Sequence, residues 1–171
     1  HACGMVDIAD DLVFSDGAFE KGAAALSAGA PIFVDAEMVR HGIIRHLLPA
    51  HNEVFCLLND ERVRPVSVQL GSTRSAAQVD LWGAAMNGAI VAIGNAPTAL
   101  FRLLERLDQG APKPAIILGF PVGFVGAAES KEALALLDHG VPYIAVRGRR
   151  GGSAMASAAV NALAGGLGTN V

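Results

Sequence analysis

Residues 115–126 have the sequence AIILGFPVGFVG. The first six residues form a continuous apolar run of strand length, which is typical of a strand covered on both faces. The run leads into a turn, residues 119–126, that contains three spaced glycines and a proline, and these residues favour tight turns. A buried strand that ends in a glycine-rich turn is typical of a parallel sheet in an α/β domain.

The rest of the chain alternates between apolar runs of strand length and segments with helical spacing. The other predicted strands are residues 31–34, 53–58, 89–93 and 143–146. The predicted helices are residues 18–28, 98–107, 129–137 and 154–163. This alternation predicts an α/β fold with three α/β/α layers and a mainly parallel, doubly wound sheet. Because no linker or repeat interrupts the pattern, we expect a single domain over residues 1–171.

The composition excludes several classes of protein. Hydrophobic residues make up 52% of the chain and charged residues 17%, so the chain is globular rather than disordered. The formal net charge of −3 argues against a nucleic-acid binder, and no apolar run reaches the ~18 residues of a membrane span. Cys3 and Cys56 have neither a metal-ligand spacing nor a disulfide framework, so a reducing cytoplasm is the expected location.

Four turns that precede predicted helices, residues 71–75, 94–98, 119–126 and 147–153, indicate where a ligand binds. In an open α/β sheet, ligands bind at the carboxyl ends of the strands, where glycines and helix N-termini offer backbone N–H groups. Arg74 and Arg147 add cationic groups that pair with carboxylates. The alternative is that these are ordinary tight turns. The candidate substrate-binding residues in the turns are Ser72, Thr73, Arg74, Gly94, Asn95, Thr98, Arg147, Gly152 and Ser153.

Several catalytic motifs are absent from the sequence. It contains no Walker A sequence, no G-x-G-x-x-G fingerprint and no G-x-S-x-G elbow. Asp35 and Glu37 follow the first predicted strand, and they are interpreted as a helix cap and a surface charge. On these grounds alone, the chain is an α/β enzyme or a binding protein for a polyanionic small molecule.

Histidine is the side chain best suited to proton transfer at neutral pH, and the chain has five: His1, His41, His46, His51 and His139. His41 and His46 are five residues apart, which is a poor spacing on one helix face, and no cysteine or carboxylate completes a zinc site. We therefore expect no metal. His139 precedes Gly140 at a helix end, so a structural role is expected there, and His51 lies in a polar turn.

The same turns resemble the precorrin-8X methylmutase (precorrin isomerase) family. The matching segments cover nearly the whole chain, and the long ones around residues 94–100 and 119–131 are far more specific than a short motif. The segments are HACG (1–4), PIFVDAEMVRHG (31–42), LPAHNEV (48–54), STRSAA (72–77), VAIGNAPTAL (91–100), LGFPVGFVGAAESKEAL (118–134) and VPYIAVRGRRGGSAM (141–155).

The resemblance implies an isomerase of vitamin B12 biosynthesis that moves a methyl group from carbon C11 to carbon C12 of precorrin-8X and gives hydrogenobyrinate. The family's catalytic histidine lies in the H-A-C-G motif, and therefore corresponds to His1. The resemblance also implies a homodimer, with substrate near the subunit interface and no cofactor. Family members carry roughly forty more residues before this histidine, within the size of one domain, so we expect an upstream part to be missing.

Two alternatives remain open at this point. An α/β nucleotide- or NAD-dependent enzyme would need a glycine fingerprint after the first strand, where this chain has Asp-Ala-Glu. A non-catalytic tetrapyrrole-binding protein would bind the ligand without turnover. The sequence is compatible with either a metal-free or a cobalt-containing substrate.

Overall fold

A computed structural model describes residues 2–137 and 139–165 of the chain. Within these ranges it contains six strands and eight α-helices. The strands are β1 Leu12–Phe14, β2 Ile32–Val34, β3 Val54–Phe55, β4 Ile90–Ile93, β5 Ile116–Gly119 and β6 Tyr143–Val146. The helices are α1 Ile8–Asp11, α2 Ala18–Ser27, α3 Glu37–Gly42, α4 Val63–Leu70, α5 Arg74–Trp82, α6 Pro97–Asp108, α7 Ala127–Leu136 and α8 Ser153–Gly165.

All six strands form one sheet in the order β1-β6-β5-β4-β2-β3. Strands β2 to β6 are parallel, and β1 is antiparallel to β6. The order runs outward in both directions from the neighbours β2 and β4, which is the doubly wound arrangement of flavodoxin-type sheets. The predicted fold class, with a mainly parallel and doubly wound sheet, is therefore confirmed.

Alternate side chains of the central strands enter two separate cores. On one face, Ile32, Ile90 and Ile116 pack with residues of α2, α3 and α8. On the other face, Phe33 and Val91 pack with residues of α5, α6 and α7. All residues of β4 and β5 are buried, as expected for strands that are covered on both sides. The sheet is thus the middle layer of three.

The four predicted helices begin within two residues of their predicted positions. Helix α6 has Pro97 at its first position and buries its whole leucine stripe, Leu100, Leu103, Leu104 and Leu107. Proline suits this position because it lacks an N–H group and has a helical φ. Helices α7 and α8 begin two residues and one residue before the predicted positions, at Ala127 and Ser153. Among the described residues, no helix is both long and apolar enough to cross a bilayer.

Candidate active site

The strand order changes direction between β2 and β4, and ligands of doubly wound folds bind in the crevice at the carboxyl ends of such a strand pair. Asp35 follows β2 directly, and Gly94 follows β4. The three predicted ligand-binding turns at 94–98, 119–126 and 147–153 also lie at this edge of the sheet, because each follows a parallel strand. The candidate site is therefore built at the β2–β4 boundary.

A fully buried carboxylate holds the turn after β4 in place. Asp35 Oδ1 accepts a hydrogen bond from the Gly94 backbone N–H at 2.8 Å, and Oδ2 accepts from those of Asn95 at 2.9 Å and Ala96 at 2.7 Å. The Asp35 carbonyl in turn accepts from Gln78 Nε2 at 2.8 Å. Burial raises the pKa of Asp35, whereas the three N–H donors act in the opposite direction.

The interpretation of Asp35 as a cap of the helix that follows it is wrong. The N-cap of α3 is Ala36, and no side chain caps that helix. The Asp35 side chain instead accepts hydrogen bonds from three backbone N–H groups of the turn after β4. Those three N–H groups are consequently satisfied within the protein, so an anionic ligand would be bound by other groups at this edge.

The turn after β4 also lies against the start of α8. A Cβ atom on Gly94 would lie 2.8 Å from Ser153 Cα and 2.7 Å from Ala156 Cβ, so only glycine allows this close approach. The Gly152 N–H donates to the Phe120 carbonyl at 2.8 Å. The structure therefore brings together four of the predicted substrate-binding residues: Gly94, Asn95, Gly152 and Ser153.

A second group of predicted residues meets at the N-termini of α5 and α6. The Thr73 and Thr98 hydroxyl oxygens lie 2.8 Å apart, and Thr73 caps α5 by accepting from the Ala76 N–H at 3.1 Å. Ser72 and Thr98 line a cavity of about 310 Å³ together with Phe101. Two hydroxyl-bearing turns, 25 residues apart in sequence, thus form one polar surface.

The two predicted arginines occupy different parts of the carboxyl edge. Arg74 is exposed at the first position of α5, and its side chain makes no hydrogen bond or ion pair with another described residue. Arg147 is exposed after β6 and lines a cavity of about 250 Å³ with Val13 and Lys131. Strand β6 is two strands from β4, about 10 Å at the usual strand spacing. Such a separation suits a large ligand.

His1, the predicted catalytic residue, lies outside the described residues. The residues that follow it are held against the same edge of the sheet. Ala2 and Cys3 line an apolar cavity of about 260 Å³ with Phe120 and Met155. Asp7, in turn, forms an ion pair with Arg150 of the turn after β6, at 2.8 Å.

The other histidines lie away from this edge or form local contacts. His41 Nδ1 lies 2.7 Å from the Glu37 carbonyl oxygen on its own exposed helix face. His46 and His51 are exposed. His139 is buried, and its Nδ1 lies 2.9 Å from Asp108 Oδ1, shortly before the amino end of β6. This contact supports the structural role expected for His139.

A buried lysine in α7 was not found from the sequence. The Lys131 side chain is fully buried, and its Nζ donates to the Arg150 carbonyl. Burial lowers its pKa to about 8. The sequence around Lys131 does not distinguish it from a surface lysine. Its hydrogen-bond acceptor is the backbone carbonyl of Arg150, 19 residues away, and a backbone carbonyl leaves no signal in the sequence.

The remaining reactive groups do not form a metal centre within the described residues, where no three histidine, cysteine or acidic side chains come together. The Cys56 thiol is half-buried, and burial raises its pKa to about 11, so it is protonated and unreactive at neutral pH.

Taken together, these features define a doubly wound α/β protein with a candidate ligand site at its strand reversal. Comparisons with known proteins then identify its family. The family model for precorrin-8X methylmutase (CbiC) matches residues 1–165. The chain is 65% identical to the precorrin-8X methylmutase of Pseudomonas aeruginosa, over 96% of this chain and 79% of that protein. It is 38% identical to the cobalt-precorrin-8 methylmutase of Methanocaldococcus jannaschii, over 95% of this chain and 74% of that protein.

A crystal structure of the precorrin-8X methylmutase from Thermus thermophilus has the same fold. Its TM-score with this chain is 0.85 at 41% identity, and the match covers 96% of this chain and 80% of that one. The chain belongs to the precorrin-8X methylmutase family. It is therefore an isomerase of cobalamin biosynthesis.

We predict that Asp35→Asn lowers the free energy of unfolding by about 1.5–3 kcal/mol, the range for hydrogen bonds to a charged group. An amide has one acceptor oxygen, and its NH₂ group would face a backbone N–H of the β4 turn. Urea denaturation measures the change, and the exposed Asp16→Asn is the matched control. Equal unfolding midpoints for the two variants would contradict the role given to Asp35.

A second prediction concerns Lys131, whose pKa is about 8 in the folded chain against an ordinary value of 10.5. Between these pH values, the folded amine has lost the proton that the unfolded one keeps, so folding releases a proton. Above pH 10.5 the amine is neutral in both the folded and the unfolded chain, and its full contribution to the free energy of unfolding is present. That contribution is lost as the pH falls through 8. The free energy of unfolding should therefore rise from pH 7 to pH 10 relative to that of Lys131→Met.

Urea denaturation of the wild type and Lys131→Met at several pH values measures this difference. The matched control is Lys21→Met, which removes an exposed lysine from α2 and should show the same pH dependence as the wild type. If the curves for Lys131→Met and the wild type stay parallel over this range, Lys131 titrates at its ordinary pKa and is not buried as described.

Proposed function

We propose that this chain converts precorrin-8X to hydrogenobyrinate at the carboxyl edge of its sheet, by moving one methyl group from carbon C11 to carbon C12 of the tetrapyrrole. The observation that carries the proposal is the family match over residues 1–165, together with 65% and 60% identity to two proteins named precorrin-8X methylmutase. Incubating the purified chain with precorrin-8X and following the absorption spectrum tests it directly.

Recognition of the substrate is assigned to residues of the turns at the carboxyl edge of the sheet. A tetrapyrrole with several carboxylate groups requires cations and hydroxyl donors spread over a wide surface. The Thr73–Thr98 pair supports this assignment, as does the exposed and unpaired guanidinium of Arg74. The proposed substrate-binding residues are Ser72, Thr73, Arg74, Gly94, Asn95, Thr98, Arg147, Gly152 and Ser153.

Proton transfer is assigned to His1. During the shift the bond from C11 to the methyl carbon breaks as the bond from C12 forms, so no atom is gained or lost. Migration changes the conjugation of the macrocycle, and a proton placed on the ring by an imidazole eases that change before it is returned. The proposal is supported by the packing of Ala2 and Cys3 beside Phe120 at the end of β5.

The substrate is proposed to be the metal-free precorrin rather than its cobalt complex. The two relatives named for precorrin-8X are 65% and 60% identical to this chain. The relatives named for cobalt-precorrin-8 from Methanocaldococcus jannaschii and Salmonella typhimurium are 38% and 42% identical. Parallel turnover assays with the two substrates test the preference. Faster conversion of the cobalt complex would reverse the assignment.

We further propose that the protein is a single-domain homodimer, with the substrate near the subunit interface, and that it works in the cytoplasm. Exposed apolar side chains such as Val68 and Leu136 are candidates for burial between subunits. Cys3 and Cys56 are both free thiols, which agrees with a reducing compartment. Sedimentation equilibrium measures the oligomeric state.

We predict that Arg74→Ala weakens hydrogenobyrinate binding by about 1.5–3 kcal/mol, the range for a charge-assisted hydrogen bond. The reason is that the side chain of Arg74 is free to pair with a ligand carboxylate. Isothermal titration calorimetry measures the affinity. Arg64→Ala, an exposed arginine of α4, is the matched control, and an affinity equal to that control would remove Arg74 from the binding site.

We also predict that His1→Ala retains hydrogenobyrinate binding but loses roughly 10²–10⁴-fold in methyl transfer, the usual contribution of general acid–base catalysis. His41→Ala and His46→Ala replace exposed histidines and should leave the rate near that of the wild type. Single-turnover absorbance traces separate the variants. Near-normal methyl transfer in His1→Ala would assign the proton transfer to another group, or to the substrate itself.

A further inference from the structure

The loop between β5 and α7 exposes apolar side chains at the carboxyl edge of the sheet. Phe124 and Val125, at its tip, are 86% and 88% exposed, and Val122 is 42% exposed. Adjacent large apolar side chains in this state are costly in water, and they mark a surface that contacts something else. Their position on the loop that follows a central strand places this surface beside the site described above.

The two ends of the loop are fixed to turns that contain proposed substrate-binding residues. The Val122 N–H donates to the Asn95 carbonyl at 3.4 Å. At the other end, a Cβ atom on Gly126 would lie 3.3 Å from Pro97 at the start of α6. The exposed tip therefore lies between residues that approach the turn after β4 and the start of α6 closely.

A cation accompanies the exposed ring. The Arg149 guanidinium carbon lies 6.0 Å from the centroid of the Phe124 ring, within the range of a cation–π interaction. Arg149 is itself exposed and belongs to the turn after β6, which also carries Arg147. One surface thus combines an aromatic face, an aliphatic side chain and a guanidinium group.

We propose that Phe124 and Val125 form an apolar platform that contacts the face of the tetrapyrrole, while Arg149 pairs with one of its peripheral carboxylates. This inference rests on the proposed function and adds specific substrate contacts to it. A flat conjugated ring edged with carboxylates matches the combination of an aromatic face and a neighbouring cation. A purely apolar occupant would leave the Arg149 charge without a counterpart.

Phe124 and Val125 would contribute to the binding free energy by removing apolar surface from water, and Phe124 also by aromatic contact with the tetrapyrrole. Burial of a phenylalanine side chain stabilises a contact by an amount that corresponds to roughly 10- to 100-fold in affinity. Phe124→Ala should therefore weaken hydrogenobyrinate binding by roughly 10- to 100-fold. Phe124→Tyr keeps the ring and should retain affinity within a few-fold of the wild type.

Isothermal titration calorimetry with hydrogenobyrinate tests the proposal on the wild type, Phe124→Ala, Phe124→Tyr and the control Phe14→Ala. Phe14 is also a largely exposed phenylalanine (67%), but it lies on β1 opposite Ile144, the second residue of β6, away from the carboxyl edge. Circular dichroism checks that each variant is folded, which is expected because both rings are exposed.

A selective loss of affinity in Phe124→Ala, with Phe14→Ala equal to the wild type, supports the platform. Equal affinities for the two alanine variants overturn it and leave the proposed function intact. If the wild type itself fails to bind hydrogenobyrinate, the proposed function and this inference both fall. Sedimentation equilibrium provides the last check, since a weaker dimer with unchanged ligand affinity would make the tip a subunit contact instead.

Discussion

The carboxylate of Asp35 fixes the geometry on which the candidate site depends. It joins the end of β2 to the turn after β4 through three backbone hydrogen bonds, and it does so without exposure to solvent. With that turn fixed, Gly94 can pack against the first turn of α8. The Asn95 carbonyl, in turn, accepts from the loop after β5. The positions of three segments at the carboxyl edge therefore depend on one buried carboxyl group.

The candidate site that results combines polar and apolar regions. Thr73 and Thr98 place two hydroxyl groups at the N-termini of α5 and α6, and the exposed Arg74 and Arg147 lie at separate points along the carboxyl edge. Apolar side chains line the cavity beside the H-A-C-G segment. This division suits an isomerase whose main task is to hold one conformation of a large ligand, because correct positioning alone can supply much of a rate enhancement.

The sequence predicted the fold well because the central strands are buried on both faces and therefore continuously apolar. It missed β1, a three-residue edge strand with Leu12 and Phe14 exposed, and it predicted β3 too long because the chain leaves the sheet after Phe55. Asp35 was misinterpreted because its partners are 59 to 61 residues away. Contacts of that kind leave no local pattern, and the same is true of buried Lys131.

Arg150 has a consequence for how the chain tolerates changes in length. Its guanidinium is bound by Asp7 at 2.8 Å and by Asp11 at 3.5 Å, while its carbonyl accepts from Lys131. The turn between β6 and α8 is thus held near its middle by Lys131 of α7 on one side and by Asp7 and Asp11, in and just before α1, on the other. An added or deleted residue there would displace Arg150 from both sets of partners, so this turn is expected to tolerate changes in length poorly.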